Sequence, residues 1–162
     1  MDTALEGSSE RSDSGTAHAF PRDDGIRIPI GVFSTPLGAL EAVTKYLREN
    51  CGLRLCEIAP LLRRDQRTIW GAYRSSAAKH PAPFATAQDS AAIDEGLAIP
   101  LSIFSDRSYG MLECVVAYLR ENTTLSLTSI AAIINRDYST VWTTCSRAAH
   151  KRRSPWRNTT TP

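Results

Sequence analysis

The stretch YLRENCGLRLCEIAPLLRRDQRTIW, Tyr46 to Trp70, has an ungapped echo in YLRENTTLSLTSIAAIINRDYSTVW, Tyr118 to Trp142, with 13 of 25 positions identical. An offset of 72 residues inside a chain of 162 points to two small units rather than one ordinary domain. Each would hold about 55 residues, near the lower limit at which a hydrophobic core is stable alone. The two units are therefore expected to lean on each other.

The repeated stretch divides into three pieces. Its first residues, Tyr46-Leu47-Arg48-Glu49-Asn50, end a helix whose apolar face is Leu37, Leu40, Val43, Tyr46 and Leu47, matched by Tyr109, Leu112, Val115, Tyr118 and Leu119. Ser34 or Thr35 is expected to cap that helix in the first copy, with Pro36 in its first turn. The middle predicts a second helix from about Leu55 to Leu62 and from Leu127 to Ile134, with Ile58, Leu61, Leu62 and Ile130, Ile133, Ile134 facing the core. Ser126 is a good cap for the second copy; Arg54, in its place in the first, is a poorer one. Ala59 and Ala131 are small where helices approach closely. Arg63-Arg64 and Asn135-Arg136 make a turn, and Asp65 and Asp137 cap third helices predicted over 66–78 and 138–150.

Ahead of the first helix, Ile28-Pro29-Ile30-Gly31-Val32-Phe33 matches Ile99-Pro100-Leu101-Ser102-Ile103-Phe104 at an offset of 71. One residue is thus inserted near Asp106–Ser108. The alternation predicts short extended arms, and the prolines exclude a central strand. A lone arm leaves its backbone groups unpaired, so the arms are expected to pair with each other or drape over the opposite repeat.

The organisation is then a disordered acidic tail (1–25), repeat 1 (26–79), a linker (80–97) with a short helical turn near Ala91–Glu95, repeat 2 (98–153) and a flexible tail (154–162). The net charge of +2 is segregated: −4 over residues 1–25, +5 over 26–80, −3 over 81–98 and +3 over 99–153. Basic repeats between acidic connectors suit a polyanionic partner, although solvated helices also vary in charge. The four cysteines, Cys51, Cys56, Cys114 and Cys145, have no cysteine at the matching place in the other repeat, so free thiols are expected. Zinc bound by Cys51, Cys56, Cys145 and His150 is a minor alternative at unusual spacing. No apolar run is long enough for a membrane span, and the N-terminus lacks a secretory pattern. The expected location is cytoplasmic and nucleoid-associated, or nuclear in a eukaryote. There is no Gly-rich phosphate loop, no His-Glu-x-x-His and no nucleophile with an evident base, so neither enzymatic activity nor a cofactor is expected.

A supporting helix, a short helix, a tight turn and a further helix follow the plan of a trihelical helix-turn-helix domain. The motif Leu125-Ser126-x3-Ile130-Ala131-x8-Thr140-Val141-x5-Arg147-Ala148 resembles the DNA-binding fourth region of bacterial sigma factors and is similar to related response-regulator modules. The first copy keeps Glu57-Ile58-Ala59 and Thr68-Ile69 but has Ser75-Ser76 where the Arg-Ala would fall. The likeness spans about 30 residues of each repeat and implies an all-α fold of two tandem helix-turn-helix domains, each led by an extended arm. It also implies that the third helix enters the DNA major groove.

A helical wheel puts Ile69, Ala72, Tyr73 and Ser76 on the core side of the first copy and Val141, Thr144, Cys145 and Ala148 on that of the second. The candidate DNA contacts in repeat 1 are Arg64 in the turn and Gln66, Arg67, Thr68, Gly71, Arg74 and Ser75 on the third helix. In repeat 2 they are Arg136, then Tyr138, Ser139, Thr140, Thr143, Ser146 and Arg147, with Lys151 and Arg152 at the helix end. Arginine reads guanine bidentately; serine and threonine suit phosphate or a thymine methyl. Lys151 and Arg152 serve equally as favourable charge at a helix C-terminus. Trp70 and Trp142 are expected to pack on the first helix, near Tyr46 and Tyr118, with indole contact to the sugar-phosphate backbone as the alternative. The expected function is a sequence-specific double-stranded DNA-binding protein, a transcriptional regulator. The alternatives are a protein-interaction module that binds an RNA polymerase subunit or assembles through its arms, and a DNA-binding accessory of a recombinase or mobile element. A homodimer is open, since tandem units either replace one or add to it.

Overall fold

The computed structural model describes residues 25–84 and 97–153. The expected acidic tail, the helical turn near Ala91–Glu95 and the C-terminal tail lie outside these residues. The fold is mostly helical, with one small sheet: β1 (Arg27–Pro29), α1 (Ala39–Glu49), α2 (Leu55–Leu61), α3 (Gln66–Lys79), β2 (Ala98–Pro100), α4 (Met111–Asn122), α5 (Leu127–Ile133) and α6 (Tyr138–Arg153). A 3-10 segment follows each strand, Ile30–Ser34 and Leu101–Ser105.

The arms do both things expected of them. β1 and β2 pair antiparallel, with Ile28 opposite Ile99, Arg27 opposite Pro100 and Pro29 opposite Ala98. Ile30 N–H donates to the Leu97 carbonyl (3.2 Å) and Leu101 N–H to the Ile26 carbonyl (3.0 Å). The 3-10 segments then pack on helices of the opposite repeat, the first on α5 and the second on α2. The extended conformation is shorter than the alternation predicted. A strand would send Val32 and Phe33 to opposite faces, whereas the 3-10 turn buries Ile30, Val32 and Phe33 together.

The start of the first helix also differs from expectation. Ser34 Oγ donates to the Gly31 carbonyl (2.7 Å) and Thr35 Oγ1 to the Val32 carbonyl (3.0 Å), so both close the 3-10 turn and cap nothing. The N-cap is Gly38, whose N–H donates to the Glu41 carboxylate (2.9 Å); Gly110 and Glu113 repeat this in α4 (2.9 Å). Leu37 and Tyr109 therefore precede their helices, although Leu37 is still buried. Arg54 is rescued as a cap in the same way, its N–H donating to Glu57 (2.7 Å). Ser126 accepts from the Ser129 N–H (3.1 Å), and Asp65 from the Arg67 N–H (2.8 Å).

Each second helix ends in a left-handed residue, Arg63 (φ 48°) or Asn135 (φ 50°). This conformation lets Arg64 N–H reach the Ala59 carbonyl (2.9 Å) and Arg136 N–H the Ala131 carbonyl (2.9 Å), satisfying orphan helix carbonyls. The turn reverses the chain so that Ile69 and Val141, fully buried, dock the third helices on the first. Ile58, Leu62, Ile130 and Ile134 are fully buried as expected, and Leu61 and Ile133 pack at the core margin.

One hydrophobic core runs through both repeats, with α1 against α4 and Phe33 facing Phe104 at 6.3 Å between ring centres. Repeat 1 extends past its expected end at residue 79. Phe84 is buried against Tyr46 and stacks on His80 (5.6 Å), and Asn50 Nδ2 donates to its carbonyl (3.2 Å). Tyr46 thus finds Phe84 where Trp70 was expected. Among the described residues no helix is long and apolar enough to cross a membrane.

Candidate nucleic-acid interface

The outward faces of α3 and α6 carry the candidate site. Asp65 fixes the start of α3, and buried Ile69 and Ser76 orient it. Gln66, Arg67, Thr68, Gly71 and Arg74 then lie exposed, at the spacing of one helical face. On α6, Val141, Thr144 and Ala148 are buried, and Tyr138, Ser139, Thr140, Ser146 and Arg147 are exposed.

Both tryptophans join these faces, contrary to the expectation that they pack inward. Trp70 is 52% exposed and Trp142 54%, with Tyr138 beside the latter at 51%. The physical reason is angular. Each follows a fully buried residue, Ile69 or Val141, by one position, which on a helix is a rotation of about 100°. Trp70 lies instead three and four residues from Arg67 and Arg74, and Trp142 the same from Ser139 and Ser146. The Arg74 guanidinium sits over the Trp70 ring, 5.3 Å from its centre. The size of Trp favours a buried place; its position on the wheel, between exposed positions, is the signal that points outward.

Six of the expected contacts are engaged elsewhere or partly covered. Ser75 is half-buried and its Oγ donates to Glu41 (2.6 Å), so it faces α1. Thr143 is half-buried and its Oγ1 donates to the Ser139 carbonyl one turn back (2.7 Å). Arg136 crosses to repeat 1, where Nη2 donates to the Leu37 carbonyl (2.5 Å); beside it Asn135 Nδ2 donates to the Ser34 carbonyl (3.2 Å). Its equivalent Arg64 is half-buried, its Nε enclosed without a hydrogen-bond partner among the described residues. Lys151 pairs with Glu113 (2.5 Å) and lies over the Tyr109 ring (5.7 Å), and Arg152 pairs with Glu121. Arg136, Lys151 and Arg152 thus each have a partner within the fold, although Lys151 and Arg152 remain at the surface, where such pairs are weak. By contrast, the Arg67 and Arg74 side chains make no ion pair among the described residues.

Sequence reasoning also passed over a repeated strap. Glu41 takes the Gly38 N–H, the Ser75 hydroxyl and Lys79 Nζ (2.7 Å), tying the start of α1 to the end of α3. Glu113, Gly110 and Lys151 do the same between α4 and α6. Burial alone would push both carboxyls up. Hydrogen bonds from Lys79, Ser75 and Gly38 outweigh it at Glu41, and those from Lys151 and Gly110 at Glu113, so both lie below the usual carboxylate range. The identity of these Gly, Glu and Lys positions in the two copies was a legible sign.

No family model, curated protein or solved structure matches this chain.

The four cysteines are free, and burial, with the nearby Asp106 and Glu113 charges, pushes the Cys114 thiol up to about 11. That thiol is a packing group and not a nucleophile. Among the described residues no three His, Cys, Asp or Glu side chains are grouped to hold a metal ion.

Proposed function

We propose that each three-helix unit is a helix-turn-helix reader and that the chain is a sequence-specific double-stranded DNA-binding protein, a transcriptional regulator. The observation that carries this reading is the outward face of α3. Gln66, Arg67, Thr68, Trp70, Gly71 and Arg74 are exposed together on a helix held firmly from behind, and its two arginines form no ion pair among the described residues. Exposed arginine beside small polar residues suits base edges and phosphates at short range. Gly71 leaves open space where a side chain would stand, which permits close approach. The resemblance to sigma-factor region 4 points the same way.

Trp70, Trp142 and Tyr138 favour a second reading, a protein-interaction surface that meets a polymerase subunit, because exposed aromatic groups are also what protein interfaces use. Salt separates the two. Fluorescence anisotropy with random-sequence duplex is expected to show binding whose logarithm falls linearly with log salt. Arg67→Ala with Arg74→Ala is expected to weaken binding by roughly 10-fold or more and to lower the salt slope by about 1 to 2. Absence of binding at low salt, or a double variant that binds as well as the parent, would falsify the DNA reading.

A further inference from the structure

A tandem repeat in sequence ordinarily implies two units in the same orientation, joined by a connector that lets them take up direct repeats in a target. The arms of this chain impose a different relation. Equivalent residues in the arms are 71 apart, so Ile28 corresponds to Ile99, Arg27 to Ala98 and Pro29 to Pro100. In the sheet Ile28 sits opposite its own equivalent. The flanking pairs exchange partners, Arg27 with Pro100 and Pro29 with Ala98. The hydrogen bonds outside them are likewise reciprocal, Ile30 N–H to Leu97 and Leu101 N–H to Ile26. Phe33 meets its equivalent Phe104, α1 meets its equivalent α4, and each 3-10 segment packs on the opposite second helix. Contacts in which a patch meets its own copy define a two-fold axis, here passing between Ile28 and Ile99.

We propose that the DNA site of this chain is an imperfect inverted repeat, read across its dyad by a single chain acting as its own dimer. This rests on the DNA-binding reading above. A duplex has two-fold axes perpendicular to its length, and a two-fold-related pair of readers is matched by half-sites of opposite orientation. The halves are unequal because the faces are. α3 presents Arg67 and Arg74 where α6 presents Ser139 and Ser146, and α6 keeps Arg147 where α3 has Ser75, so the half under α3 is the richer in guanine. The spacing is fixed because both units share one core and cannot slide apart.

The test is selection of bound sequences by the full chain from a random duplex library about three helical turns long, followed by affinity and stoichiometry on the enriched site. The expected result is an inverted pair of unequal half-sites at one spacing, bound by one chain. Reversing the orientation of one half is expected to lower affinity by ~100-fold, the loss of one of two linked contacts. Inserting about half a helical turn between the halves should do the same. Arg67→Ala should relax base preference in one half only. Enriched direct repeats, a lone half-site, two chains per site, or a reversed half that binds within about threefold of the parent would overturn the inference while leaving DNA binding intact. Failure to bind any duplex would overturn both.

Discussion

Lys45 is the largest fully buried side chain among the described residues, with none of its surface exposed, and its Nζ donates to both Glu49 oxygens at 2.7 Å. Its equivalent in the second repeat is Ala117, so this pair is a device of one unit alone. Removing one partner of a buried pair strands the other. Lys45→Met is therefore expected to cost about 2 kcal/mol in urea denaturation, less than for a fully buried pair because Glu49 is partly exposed and keeps the Tyr73 hydroxyl. A loss under about 1 kcal/mol would mean the pair is held no better than a surface one. Arg63 shows the opposite economy. It adopts the left-handed region that Asn135 occupies in the other copy, where a non-glycine side chain is strained by about 1 kcal/mol and asparagine less. Arg63→Asn is expected to raise stability by roughly 0.5–1 kcal/mol, read as a shifted denaturation midpoint at unchanged slope.

The first and third helices of each unit are joined by the Glu41–Lys79 and Glu113–Lys151 straps, and these set a pH dependence. Because the folded carboxyls lie below the usual range, their contribution is fully present above the unfolded carboxylate pKa and is lost as pH falls through the lowered folded value. Glu41→Gln with Glu113→Gln is expected to lower the melting temperature at pH 7, and the gap from the parent should close as pH drops below about 4. A gap that persists at low pH would assign the effect to packing instead. Within α3, an alanine side chain at Gly71 would meet nothing within 4 Å. Gly71→Ala is expected to stabilise the fold by about 1 kcal/mol, since glycine in a helix interior costs that much in backbone entropy. If α3 sits in a groove, the same change should weaken duplex binding, which separates the two roles of one position.

The two units share one core, so they should unfold together. Phe104→Ala opens a cavity between them opposite Phe33 and is expected to cost about 3–4 kcal/mol. Amide exchange should then accelerate to the same extent in α1 and α4, the helices that face each other across the axis. Exchange that quickens in the second unit alone would show the units to be independently stable. The expectation that two units of this size lean on each other came from length alone. How they do so could not, because the contacting residues are ordinary apolar side chains whose partners lie about 70 positions away.

The repeat, the helix order, the turn and the buried Ile58, Ile69, Ile130 and Val141 were legible in the chain because each depends on local spacing and on the pairing of two copies. The outward place of Arg67, Thr68 and Arg74 was legible for the same reason. The internal partners of Arg136, Lys151 and Arg152 were not legible, since a long basic side chain can reach a carbonyl or carboxylate on another element, and nothing in local order shows that the acceptor is there. Trp70 and Trp142 were misread because size alone favoured a buried place, although Phe84, from beyond the expected boundary, had already filled the site beside Tyr46. The two-fold relation of the units was likewise settled in three dimensions. A sequence repeat has only a direction along the chain; the orientation of its copies arises when unpaired arm backbone finds the one neighbour that satisfies it, its own equivalent running the other way.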